Sequence, residues 1–175
     1  MAGAEARLKE LGIELPGVQP AVGSYLSAKV DGDLVFVSGH GPIRLDSSGL
    51  VVGTSSREIS VQDALGAIIQ GKVGSDLSVD EAREAARLTG LFLLSAVRAE
   101  VGSLDRVRSV LKVFGMVNCA PGFTNTPAVI DGCSDLLVDV FGPEVGRHAR
   151  SAVGMAELPL SIPVEIEMVV AVDAE

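Results

Sequence analysis

Between Arg147 and Val170 the chain reads RHARSAVGMAELPLSIPVEIEMVV, and its most chemically capable side chains sit there. Arg150 offers a planar guanidinium whose paired N–H donors match the two oxygens of a carboxylate. Glu165 and Glu167 follow, separated by Ile166. Acidic and apolar residues alternating at period two read as a β-strand over 164–170, with both carboxylates on one face. A carboxyl group in a partly buried cleft titrates closer to neutrality, which suits general acid–base work. If the extended segment from Ala149 to Val153 pairs with that strand as an antiparallel hairpin around Leu158-Pro159 and Pro163, Arg150 and Glu165 come together. They would then hold a small carboxylate beside a group that moves a proton. His148 lies two residues before Arg150 and shares its face in an extended segment. Two histidines, His40 and His148, with no clear third ligand do not make a metal site.

The order of several short motifs resembles the Rid (reactive intermediate deaminase, or YjgF-like) family, also labelled the endoribonuclease L-PSP family. The motifs are Ala149-Arg150-Ser151, then Leu158-Pro159, then Glu165-Ile166-Glu167. Upstream, Gly23-Ser24-Tyr25 and Phe36-Val37-Ser38-Gly39-His40-Gly41-Pro42 look like the family's G-P-Y and S-G-Q-x-P segments. Val117 to Phe123 and Val129 to Gly132 resemble a longer, divergent branch. The resemblance covers roughly residues 20 to 172, with a break near 54–70.

That resemblance implies an α+β fold, a mixed sheet with two helices on one face in the order β-β-α-β-α-β, chorismate-mutase-like. It implies a homotrimeric, barrel-like assembly with clefts between subunits, so that Arg150 and Tyr25 come from different chains. The implied reaction is hydrolysis of enamine/imine intermediates such as 2-aminoacrylate to 2-oxo acids and ammonia, with no cofactor. Arg150 would bind the substrate carboxylate and Glu165 would position water. Tyr25, Ser38, Gly39, His40, Asp131 and Ala152 would line the substrate site. Three positions depart from the family pattern. Ala152 replaces a common cysteine, which removes thiol chemistry there. Asp131 stands where many relatives carry asparagine, and a carboxylate beside an anionic substrate repels it unless protonated or turned away. His40 replaces a common glutamine and adds a group that titrates near neutral pH. These departures keep a second reading open, a non-catalytic protein of the same fold that binds a small carboxylate-bearing metabolite.

Composition narrows the partners. The net charge is −9 over 175 residues and aromatics are 3%, which argues against nucleic acid and hence against ribonuclease activity. No apolar run reaches about 18 residues and no basic-then-apolar leader opens the chain, so no membrane partner and a cytoplasmic location are expected. Cys119 and Cys133 have no metal or disulfide spacing and read as small buried side chains. Apolar residues at 47% against so acidic a background suit a subunit that buries surface on its own copies.

One domain over 1–175 is expected. Residues 1–17 read as a short helix and linker, with Ala4, Leu8 and Leu11 on one stripe. A hairpin is expected with arms at Tyr25–Val30 and Leu34–Val37 around Asp31-Gly32. Residues 54–70 look like an insertion carrying a helix start at Ser60. Ser78 and Glu81 form a capping box ahead of a helix to Val101, stopped by Gly102. Its core stripe is Ala82, Ala85, Ala86, Thr89, Leu93, Ala96 and Val97; Arg83, Glu84, Arg87, Arg98 and Glu100 read as a solvated face. A strand over Val107–Val117 follows, with Gly115 at a bulge or close approach. The last helix runs over 127–141, capped by Thr126 and ended by Gly142-Pro143.

Overall fold

The computed structural model describes residues 3–173. A short helix α1 (Ala4–Glu10) leads into a hairpin of β1 (Ala28–Asp31) and β2 (Leu34–His40). Helix α2 (Val61–Ala67) and the long α3 (Val79–Val101) follow, then β3 (Val107–Asn118), α4 (Thr126–Gly146), β4 (Ala149–Met155) and β5 (Val164–Val172). The strands form one sheet in the order β1-β2-β5-β3-β4. Every pairing is antiparallel except β3 with β4. The result is the α+β arrangement expected, with one more strand than the simple β-β-α-β-α-β order.

Helices α3 and α4 cover one face. The start of α3 is fixed by the reciprocal bonds of Ser78 and Glu81, which satisfy otherwise orphaned amides. All seven stripe residues of α3 are buried, and Leu91, Phe92, Leu94 and Ser95 are buried as well. The second half of this helix is therefore enclosed on more than its sheet-facing side. Beneath the two helices lie Val113 and Val117 of β3, under α4, and Ile166, Met168 and Val170 of β5, under α3, all at 2% exposure or less. Gly115 is a close approach: a Cβ there would lie 2.6 Å from the Ile130 side chain of α4. Its absence lets α4 settle onto β3.

Several local expectations need correction. The first hairpin arm begins at Ala28, so Tyr25 lies in a bend ahead of the strand and is about half exposed. Asn125 occupies the N-cap of α4 without a side-chain bond. Thr126 instead donates its hydroxyl to the carbonyl of Ala152, tying α4 to β4. Gly142-Pro143 breaks α4 at Gly142, but a further helical turn continues to Gly146. Arg83 is not simply solvated, because it pairs with Asp135 and donates to the carbonyl of Ala128. Leu11 is exposed and leaves the α1 stripe to Ala4 and Leu8.

The 54–70 segment joins the preceding loop in a second, small apolar cluster. Ile43, Val51, Ile59, Ala64 and Ala67 close over Phe92 of α3. Ser60 and Asp63 cap α2 reciprocally, as the helix start at Ser60 anticipated. No described helix is long and apolar enough to cross a membrane.

The hairpin expected between the Arg150 segment and the Glu165 strand does not form. Strand β3 lies between them: Arg150 of β4 is paired with Val113, and Glu165 of β5 with Met116. Helix α4 is a crossover that returns the chain parallel to β3, and β5 takes the other side of β3.

Candidate functional site

The edge strand β4 carries Arg150 on the helix-covered side of the sheet, because its register partner Val113 faces the helices. There its Nη1 donates to Asp131 Oδ1 at 2.7 Å and to Ser134 Oγ at 2.9 Å. Both acceptors come from α4, three residues apart and so on one helix face. Among the described residues, Nε and Nη2 of Arg150 make no hydrogen bond. The arginine side chain is 23% exposed and that of Asp131 41%. Asp131 Oδ2 is 3.9 Å from Arg83 Nη1, so that oxygen is not held by a direct bond.

His148 completes this cluster. Its Nδ1 lies 2.7 Å from the carbonyl of Gly146 and its Nε2 3.0 Å from Ser134 Oγ. A carbonyl only accepts, so Nδ1 carries the proton. Burial, reinforced by the Arg150 charge, lowers the imidazole pKa despite the opposing Gly146 bond. The neutral ring therefore accepts the Ser134 proton at Nε2, and Ser134 in turn accepts from Arg150.

A second group forms around β2 and β5, with Glu165 on the opposite, helix-free face and His40 turned inward opposite Ile166. Glu165 shares its face with Met116 and Glu167, and no described residue hydrogen-bonds its carboxylate. Burial, then the neighbouring Glu167 charge, raises its pKa above the usual carboxylate range. The carboxylate rests on the backbone of Gly39, where any Cβ would lie 2.1 Å from Glu165 Oε1. Here β2 departs from regular register between Val37 and His40. His40 is buried, with Nδ1 2.7 Å from the carbonyl of Ser38, and burial lowers its pKa. Ser38 donates its hydroxyl to the carbonyl of Leu26, which secures the bend holding Tyr25. Gln19, Tyr25, Ser27, Gly39 and His40 border a narrow crevice. Beside it, Leu26, Phe36, Ser38, Lys112, Phe114 and Glu167 line a groove of about 380 Å³ on the sheet surface.

A family model described as "YjgF/chorismate_mutase-like, putative endoribonuclease" matches residues 5–169. The chain belongs to the YjgF/chorismate mutase-like family. Protein TCP17 of Trypanosoma cruzi is 38% identical over 165 residues, covering 94% of this chain and 91% of that protein. A solved protein of unknown function from Agrobacterium tumefaciens, Atu1372, is 37% identical with a TM-score of 0.77, over 97% of this chain and 92% of that one. A "putative endoribonuclease" from Shewanella oneidensis is 27% identical with a TM-score of 0.82, over 98% and 100% of the two chains.

The residues singled out in this YjgF/chorismate mutase-like chain thus fall into two groups. Arg150, Asp131 and His148 meet at α4 and β4, with the Ala152 carbonyl bound nearby by Thr126. Tyr25, Ser38, Gly39, His40 and Glu165 gather at β2 and β5. Within one subunit Arg150 and Glu165 face opposite sides of the sheet, while His40, paired with Ile166, turns to the helix-covered side. Sequence reasoning missed Ser134, although its helical spacing from Asp131 was a usable signal. Cys133 is buried and its thiol is pushed up to about 12 by burial, while Cys119 is half-buried and also raised. Among the described residues no group of three or more His, Cys, Asp or Glu is placed to hold a metal ion.

Proposed function

We propose that this protein hydrolyses reactive enamine/imine intermediates of the 2-aminoacrylate kind to 2-oxo acids and ammonia, in clefts between copies of the chain. The observation that carries the reading is Glu165: a half-buried carboxyl group of raised pKa, without a hydrogen-bond partner among the described residues, resting on the side-chain-free backbone of Gly39. Arg150 binds the substrate carboxylate through its free Nε and Nη2. The enamine takes a proton from solvent at its terminal carbon to become the imine in its protonated, iminium form. Glu165 accepts a proton from water as the water oxygen bonds to the imine carbon. It returns that proton to nitrogen and then takes the hydroxyl proton as the C–N bond breaks, so that ammonia leaves a carbonyl group behind. Because Arg150 and Glu165 face opposite sides of one sheet, a neighbouring subunit supplies one of them. The helix-free face, with Leu26 at 65% and Phe36 at 46% exposure, is the surface that a homotrimer would bury.

The test couples the protein to a pyridoxal-phosphate serine dehydratase and follows the disappearance of 2-aminoacrylate. Acceleration that falls at least about 100-fold in Arg150→Ala and in Glu165→Gln, the latter with ligand binding kept, supports the reading. No acceleration by the folded oligomer overturns it for this substrate.

One observation favours a second reading, a binding protein without turnover. Asp131 already satisfies one nitrogen of Arg150, and Ala152 offers no reactive side chain. That reading expects a small carboxylate-bearing metabolite to raise Tm without product formation. Cleavage of RNA, suggested by the family description, runs against the net charge of −9.

A further inference from the structure

We infer that the Arg150 site selects zwitterions: its ligand carries a protonated nitrogen next to its carboxylate, and plain carboxylates, including a 2-oxo acid product, bind poorly. This rests on the reading of Arg150 as the ligand anchor and names which charge pattern that anchor accepts.

The argument begins with Asp131, which is neither turned away nor remote but bonded to the anchor at 2.7 Å. An incoming carboxylate therefore meets a carboxylate already in place. Around it the charges cancel. Arg150 and Arg83 are positive, Asp131 and Asp135 negative, and all four are linked by ion pairs. His148, the other titratable group in contact, is neutral, since its Nδ1 proton is committed to Gly146 and its Nε2 accepts from Ser134. A simple anion gains little attraction from such a cluster, and the chain's net charge of −9 opposes its approach. A zwitterion of zero net charge avoids that opposition.

Geometry then supplies a place for each charge. The Nη1 of Arg150 is consumed by Asp131 and Ser134, which fixes the guanidinium plane. Its Nε and Nη2 remain to donate to a carboxylate. Asp131 offers Oδ2, which has no closer cation than Arg83 at 3.9 Å, to accept from an ammonium or iminium N–H. Donor and acceptor thus sit side by side, as the nitrogen and carboxylate of an α-amino or α-imino acid do about their shared carbon. Hydrolysis replaces the charged nitrogen by a carbonyl oxygen, so the product loses its hold on Asp131 and meets only repulsion from it. The same carboxylate that accepts the substrate thereby releases the product.

The experiment is isothermal titration of the full-length protein, in its native oligomeric state, with L-alanine, propionate and pyruvate. The expected result is alanine binding at least about tenfold more tightly than either anion. Asp131→Asn keeps the side-chain shape and removes the charge. It should bring the three ligands to within about twofold of one another by weakening alanine and strengthening the anions. Propionate or pyruvate binding as tightly as alanine overturns the inference, as does a ratio unchanged by Asp131→Asn or the absence of binding by all three. The 2-aminoacrylate assay is scored separately. A preserved alanine preference without turnover sinks only the deaminase reading, and turnover without that preference sinks only this one.

Discussion

Arg150 and Glu165 lie on opposite faces of one sheet, with β3 between their strands and Val113 and Met116 as their respective register partners. A site that uses both must draw them from two subunits. Mixed oligomers test this. Arg150→Ala and Glu165→Gln subunits, each inactive alone, should recover activity when co-assembled in equal amounts, to roughly a quarter of the wild-type rate if subunits mix at random. Turnover by the mixture is the measurement. Full inactivity of verified mixed oligomers would place Arg150 and Glu165 in separate functions.

Gly39 should be intolerant of even a methyl group for functional rather than structural reasons. The group that a Cβ would strike is the mobile end of Glu165, not backbone. Gly39→Ala is therefore expected to change stability by less than about 1 kcal/mol. Its 2-aminoacrylate turnover should fall by at least about tenfold, because Glu165 is displaced. Urea midpoints and steady-state rates on the same preparation separate the two effects.

Gly115 should behave in the opposite way. A Cβ there meets the Ile130 side chain at 2.6 Å, inside the layer between β3 and α4. Gly115→Ala is expected to cost about 1–3 kcal/mol through overpacking. A lowered midpoint with an unchanged denaturant slope would bear this out. A midpoint equal to wild type would show that α4 shifts without penalty.

Acidification should destabilise the fold through its two histidines. Burial lowers the pKa of both His40 and His148 in the folded chain. As pH falls through about 6.5 the unfolded chain takes up protons that the folded one resists, so stability declines until the folded pKa values are passed. Glu165 works in the other sense. Its raised pKa makes the folded state take up a proton first, so its ionisation costs stability as pH rises through that pKa. Urea midpoints between about pH 7.5 and pH 5 should therefore fall with pH, less so in His148→Gln and more so in Glu165→Gln. A His148→Gln profile parallel to wild type would mean that this imidazole adds nothing to the acid-side loss.

Much of this protein was legible locally. The capping box of Ser78 and Glu81 marks the start of α3, and the alternation from Val164 onward marks β5 with Glu165 and Glu167 on one face. Those signals are short-range: a cap needs four residues and a strand face needs every second one. The ordered motifs around Tyr25, Ser38, Arg150 and Glu165 likewise carry the family, because they are properties of the chain itself. Strand neighbours are not. Whether β4 pairs with β5 as a hairpin or with β3 across α4 depends on where α4 can bury its apolar face, and Gly115 opens that place beneath Ile130. That packing sends Arg150 to the helix side and leaves Glu165 on the other. It also brings Asp131 and Ser134 from α4, and His148 from the turn before β4, onto one guanidinium. Residue types were thus set by sequence, while which charges touch was set by the long-range burial of one helix against one strand.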